Sequence, residues 1–286
     1  MIKLSKKFIA VNIGAGAIMV AAFVSFMQTT FTRPNVPVCS SRYHHQLSFE
    51  LGRDGAAVTV ADVQAALNGQ DEGIADNLTI SEFSEGPSRF AMGVKIAPGT
   101  AAQRSSRTPA GGISMPWTPT LLEQPHAACL SYDVFLPADF NFDLGGTLPG
   151  LFGGPVEPSA PDAARFAVNL AWHGGGAPKL YIETKAGEYQ RAGTFAAYMS
   201  KLPRGRWIHI DQELVLNGAG ASDGLARLWI DGKIESDVKG AWLREGKDAT
   251  ITGVSGDVYF GGSGTEGVAK SEATIWISPF VLRWNG

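Results

Sequence analysis

The sequence predicts an all-β sandwich preceded by an N-terminal apolar helix. Three observations carry this reading. Segments of strand length alternate apolar with small or polar residues, as at Phe90, Met92, Val94 and Ile96. The gaps hold turn residues: Gly174-Gly175-Gly176, Asn217-Gly218, Asp223-Gly224, Asp231-Gly232 and Gly261-Gly262. No convincing long helix follows the N-terminal segment.

Taken in order, Lys3, Lys6 and Lys7 come first, followed by an apolar run from Phe8 to Met27. Basic residues before an apolar stretch mark an export signal. The run has about 20 residues, enough to cross a bilayer. A small-x-small cleavage site is missing, which favours an uncleaved anchor with its N-terminus inside over a cleaved signal peptide. In either case the rest of the chain is expected outside the cytoplasm, with the membrane as a partner of the N-terminal segment. Residues 1–30 are thus signal peptide or anchor, and 31–74 are a spacer with a strand and short helix. Residues 75–286 form the β domain.

Within the spacer, Pro34 and Pro37 mark irregular chain, and 58–69 reads as a strand running into a short helix capped by Asp62. A strand over 89–96 stops at Pro98-Gly99, and 101–125 reads as a long loop. Further strands are expected at 128–136, 164–172, 179–184, 206–217, 225–231, 257–261 and 273–283. The chain is 44% hydrophobic with 35 glycines, which provides a full core and many turns. A net charge of -3 gives no nucleic-acid surface, so an anionic polymer needs a local groove. Cys39 and Cys129 are either one disulfide or two thiols. Their spacing fits no metal site, and no cofactor is expected.

The segment from Tyr132 to Gly154, YDVFLPADFNFDLGGTLPGLFGG, is the most informative. A strand ends at Pro137. Two glycine pairs follow, Gly145-Gly146 and Gly153-Gly154, with Leu148-Pro149-Gly150 between them. Phe140, Phe142, Leu148 and Phe152 make this a packed loop rather than a linker. The stretch resembles the signature of polysaccharide lyase family 14 and the similar glucuronan lyases: an F-x-F, then G-G-K-L-P-G-L-x-G-G. The family's lysine is Thr147 here. Arg89 to Gly112 and the run from Trp207 through Tyr259-Phe260-Gly261-Gly262 to Leu282 are also similar. The resemblance covers residues 75–283 and implies a two-sheet β-jelly roll. It also implies that the signature glycines border a concave, polysaccharide-binding sheet.

The activity that the resemblance implies is β-elimination on a uronate-containing acidic polysaccharide. Such a reaction must neutralise the uronate carboxylate, remove the C5 proton and protonate the leaving O4. Family members resemble one another in using the lysine, an S-x-R pair and a Y-x-Y pair. Those positions map here to Thr147, to Ala167 and Asn169, and to Tyr181 and Glu183, so only Tyr181 is retained. Thr147 cannot replace an ammonium, Asn169 offers an amide without charge, and Glu183 repels a uronate unless protonated.

His173, before the triple glycine, is the candidate base, and Lys179 and Arg165 are candidates for the missing charge. Each also has a plain reading as a solvated turn or strand-end residue. Trp117, between Pro116 and Pro119, is the best ring for stacking on a sugar, whereas Trp229 and Trp276 read as core. No E-x-D-x-x-E pattern, nucleophile elbow, P-loop, zinc motif or dinucleotide fingerprint is present. Three functions stay open: an exported lyase, a catalytically impaired glycan-binding protein on the same scaffold, and an envelope structural protein.

Overall fold

The computed structural model describes Met19 and residues 33–285, except 68–70, 103–108, 156–164, 187–188 and 262–266. The expected anchor, Met19 apart, lies outside the described residues. Among these no helix is long and apolar enough to cross a membrane. The chain divides into two compact units, Met1–Asn35 and Val36–Gly286, and the β domain lies in the second.

Two antiparallel sheets build it. The first contains β1 (His45–Ser48), β4 (Leu78–Glu82), β5 (Phe90–Ile96), β7 (Ala127–Phe135) and β12 (Trp207–Val215). It is completed by β13 (Gly224–Ile230), β14 (Lys233–Ala241), β17 (Ala273–Ile277) and β18 (Val281–Trp284). Its order is β14-β13-β12-β7-β17-β5-β4, with β18 beside β7 and β1 beside β18. The second sheet contains β6 (Pro116–Trp117), β8 (Gly145–Pro155), β9 (Arg165–His173) and β10 (Ala177–Ala186). It also holds β11 (Tyr189–Ala196), β15 (Ala249–Ser255) and β16 (Tyr259–Phe260). Its order is β11-β10-β9-β8-β15-β6, with β16 beside β8. A two-stranded ribbon of β2 (Gly52–Arg53) and β3 (Ala56–Ala57) precedes α1 (Val60–Ala66).

The alternation seen in the sequence decides which side chains meet between the sheets. Leu130, Tyr132 and Val134 of β7 and Ile208, Ile210 and Leu214 of β12 face inward. Phe166, Val168, Leu170 and Trp172 of β9 and Leu180 and Ile182 of β10 meet them from the second sheet. Two buried polar groups cross this core. Tyr132 Oη donates to Pro149 O at 3.0 Å, and Gln212 Nε2 donates to Val168 O at 2.9 Å. Each reaches a backbone oxygen of the second sheet, so the two layers are registered by direction as well as by area.

Several expectations need correction. Residues 145–154 are not a loop: they form β8, an 11-residue strand in the middle of the second sheet. The glycines hid its apolar alternation. Trp117 is not an exposed loop ring. It sits on β6 opposite Val254, is 6% exposed, and meets the Phe49 ring at 5.3 Å. The cap of α1 is Thr59, with Asp62 completing a capping box three residues on. Strands β4, β11, β14 and β15 were not anticipated. The spacer contributes β1 to the first sheet.

Cys39 and Cys129 form a disulfide, which ties residues 36–44 across the outer face of the first sheet. Trp229 Nε1 donates to Val36 O at 2.9 Å, so this tryptophan is buried under that strap rather than between the sheets. Trp276 also lies on the outer face, flat across Gly93, where a Cβ would stand 2.3 Å from the indole. In the strap, Arg42 Nη2 and Tyr43 Oη donate to the two oxygens of the buried Glu213 at 2.9 and 2.8 Å.

Beside the strap, His209 lies between two carboxylates, with Nδ1 2.9 Å from Asp133 Oδ1 and Nε2 3.2 Å from Asp211 Oδ2. The hydrogen bonds to Asp133 and then Asp211 hold its pKa up at about 10. A raised folded pKa stabilises fully below the unfolded value near 6.5, and that contribution is lost as pH rises through the folded pKa. Unfolding free energy should therefore fall from about pH 7 to pH 10, and His209→Gln should flatten that slope. Urea titrations at several pH values check this; equal slopes in the two proteins would refute it.

Candidate functional site

The face of the second sheet turned away from the core gathers most of the polar residues singled out in the sequence. Register places Tyr181 opposite Asn169, and Asn169 opposite Gly150. One row along, Lys179 lies opposite Ala171, Ala171 opposite Thr147, and Thr147 opposite Tyr259. Glu183 lies opposite Ala167, and Lys185 opposite Arg165. Strand period two puts Arg165, Asn169 and His173 on this face together with Lys179, Tyr181 and Glu183. Trp117, buried under Phe49, is not among them.

Glycine makes the floor of this face. An added Cβ on Gly150 would stand 2.0 Å from Val168 O and 2.6 Å from Asn169 Cα. On the core side of the same strand, one on Gly146 would stand 2.2 Å from the Trp172 ring. The strand register shifts between Leu148 and Gly150, and Pro149, which has no N–H to give a ladder, occupies the bulge. Tyr132 holds its carbonyl from below. Gly150→Ala should cost about 3 kcal/mol through overpacking against backbone that cannot retreat. Denaturant titration measures this, and a loss within the noise would show that β8 can shift outward.

The electrostatics separate the candidates. Burial, reinforced by Glu183, raises the Tyr181 pKa, so its phenol keeps its proton and is an acid rather than a base. The hydroxyl lies 3.5 Å from Glu183 Oε2. Burial, and then Lys179, lowers the His173 pKa, and its buried Nε2 has no hydrogen-bond partner. A neutral imidazole is a base. However, His173 is four residues along β9 from the partner of Tyr181, roughly 13 Å at strand rise. The two therefore stand in different rows of the face.

Thr147 is 1% exposed, and its hydroxyl donates to Gly261 O at 3.2 Å. Asn169 is 4% exposed and donates to Leu148 O at 3.3 Å and to Ser255 Oγ at 3.1 Å. Sequence reasoning missed the polar groups beyond Ser255. Ser255 Oγ and Ser114 Oγ each donate at 2.8 Å to the two oxygens of Asp257. Tyr259 Oη lies 3.5 Å from Asp257 Oδ2. A hydrogen-bonded chain thus runs from Asn169 through Ser255 to Asp257 and Tyr259. The alternation Ser255-x-Asp257-x-Tyr259 was the available signal, since period two puts all three on one face.

The polysaccharide lyase 14 family model matches residues 85–280. The chain belongs to the polysaccharide lyase 14 family. Among solved structures, the alginate lyase of this family from Aplysia kurodai superposes with a TM-score of 0.65 at 20% identity. That match covers 84% of this chain and 98% of the other. The Chlorella virus alginate lyase vAL-1 gives 0.62 at 18% identity, over 79% and 96% of the two chains. The endo-β-1,4-glucuronan lyase of Trichoderma reesei gives 0.52 at 11%, over 88% and 96%. No curated protein sequence matches closely enough to count as a relative.

At these identities the superpositions establish the shared sandwich. In this polysaccharide lyase 14 protein, the positions that the resemblance gives to lysine, serine and arginine are occupied by Thr147, Ala167 and Asn169. None carries charge. Of the cations on the same face, Lys179 stands in Thr147's own row, two strands away, and the Arg165–Lys185 pair at the start of β9. Among the described residues, the one group of potential metal ligands is Cys39, Cys129 and Asp211, and both its sulfurs are in the disulfide.

Proposed function

We propose that this protein binds an acidic, uronate-containing polysaccharide on the outer face of its second sheet and cleaves it weakly or not at all. The observation that carries this reading is the side chain of Thr147. It is short, buried and already bonded to Gly261 O, in the place where elimination needs a cation facing the uronate. Lys179 and Arg165 still favour an anionic polymer at the margins of the face. A second reading, a slow lyase, is favoured by Tyr181, a protonated phenol on the open face beside Asn169.

Titration calorimetry with glucuronan, alginate and a neutral glucan tests the binding. Uronans should bind in a salt-sensitive way, and Lys179→Ala with Arg165→Ala should weaken them about tenfold. Equal affinity for the neutral glucan would overturn the reading, as would rapid release of unsaturated uronate, seen by its ultraviolet absorbance. We also place the protein outside the cytoplasm, tethered by residues 8–27. A disulfide suits an oxidising compartment, and the basic-then-apolar N-terminus suits export. Fractionation that recovers a shortened protein free in the medium would rule out the tether.

A further inference from the structure

A depression of about 300 Å³ opens where the chain crosses from the first sheet into the second. Asp139, Asn141, Asp143, Gly175, Lys201 and Arg204 line it, above the rings of Phe140 and Phe142. It adjoins the His173 end of the candidate face, because Gly145 pairs with His173 and Gly175 follows two residues later.

Its charges are mixed and held in place. Lys201 Nζ and Arg204 Cζ stand 5.5 and 5.8 Å from the centre of the Phe142 ring. Arg204 Nη1 donates to Phe140 O at 2.8 Å, which fixes the guanidinium. Asp143 lines the same depression with a side chain 2% exposed. Its Oδ2 accepts from Lys270 N at 2.9 Å, while its Oδ1 has no hydrogen-bond partner, with Lys270 Nζ 3.9 Å away. The backbone of Asp143 lies in the left-handed region, φ 47°, and its N–H donates to Asn141 Oδ1 at 3.1 Å. That oxygen is closed off from solvent with the Lys270 ammonium as its neighbouring charge, so Asp143 braces the loop beneath the depression.

We propose that this depression is a subsite for a single uronate residue. Lys201 and Arg204 take the carboxylate, and Asp139 with Asn141 accepts ring hydroxyls. A bare metal cation would meet two fixed positive groups, and a bare anion would meet two carboxylates. A uronate offers a carboxylate and hydroxyl donors together, so it satisfies both sets. The subsite rests on the acidic-glycan reading above and extends it. A chain lying on the sheet face would continue past His173 into this depression.

The test uses 15N-labelled full-length protein titrated with methyl β-D-glucuronide, methyl β-D-glucoside, calcium chloride and a glucuronan oligomer. The glucuronide should shift the Leu144 and Gly175 amides and the Arg204 Nε–H, with affinity about tenfold above that of the glucoside. Lys201→Ala and Asp139→Asn should each weaken it; both residues are exposed, so both variants keep the fold. Silence at these three groups, or an equal response to the glucoside, would overturn the proposal. So would calcium ions shifting the same groups and displacing the glucuronide. If the oligomer shifts Asn169 and Tyr181 but not Gly175, the subsite fails and the sheet-face reading stands. If it shifts Gly175 alone, the sheet-face reading fails instead.

Discussion

Tyr181→Phe is expected to lower any elimination activity by about 10²–10⁴-fold, the range for losing a positioned general acid. The ring stays on the outer face and only the hydroxyl goes, so folding should be unaffected. Thr147→Lys should act in the opposite direction. It returns an ammonium to the row beside Asn169, where negative charge develops on the uronate. Both effects are read from the appearance of unsaturated uronate with glucuronan and alginate, alongside a melting curve for each variant. Elimination that survives Tyr181→Phe would move the acid elsewhere. Tyr259 is the next phenol to examine, since it lies opposite Thr147 and near Asp257.

Replacing both cysteines, Cys39→Ala with Cys129→Ala, is expected to cost about 4 kcal/mol. The bridge closes a loop of 90 residues, and a long loop loses more denatured-state entropy when cross-linked than a short one. The strap should also loosen, exposing Trp229 and leaving the buried Glu213 without Arg42 and Tyr43. Denaturant unfolding of the full-length protein gives the first quantity, and a red shift in tryptophan emission reports the second. A cost under about 1 kcal/mol would mean that the strap's hydrogen bonds hold it without the bridge.

Local pattern carried much of the fold. Strands β5, β7, β9, β12, β13 and β17 were legible because each alternates apolar and polar residues. That alternation is what an outward and an inward face require. Strand β8 was misread because its alternate positions are glycines, required by close neighbours that belong to other strands: Val168 O, the Trp172 ring and Thr250 O. Trp117 was misread for a related reason. Flanking prolines signal a loop, but its burial depends on Phe49, far earlier in the chain.

The sequence by itself determined the all-β class, the family signature and the absence of charge at the lysine and arginine positions. It also placed Arg165 and Asn169 on one strand and Lys179, Tyr181 and Glu183 on the next, at even spacings within each. Those are consequences of chain periodicity, which is local. Only the tertiary structure decided the register that sets His173 four residues along β9 from the partner of Tyr181. It also decided that Cys39 reaches Cys129 and that Ser255, Asp257 and Tyr259 join Asn169 in one hydrogen-bonded chain. The same holds for Asp143, which the fold sets beside Lys270 and in one depression with Lys201 and Arg204. The physical reason is common to all four. Each depends on distances that strand register and the course of the loops set, and a local pattern carries neither.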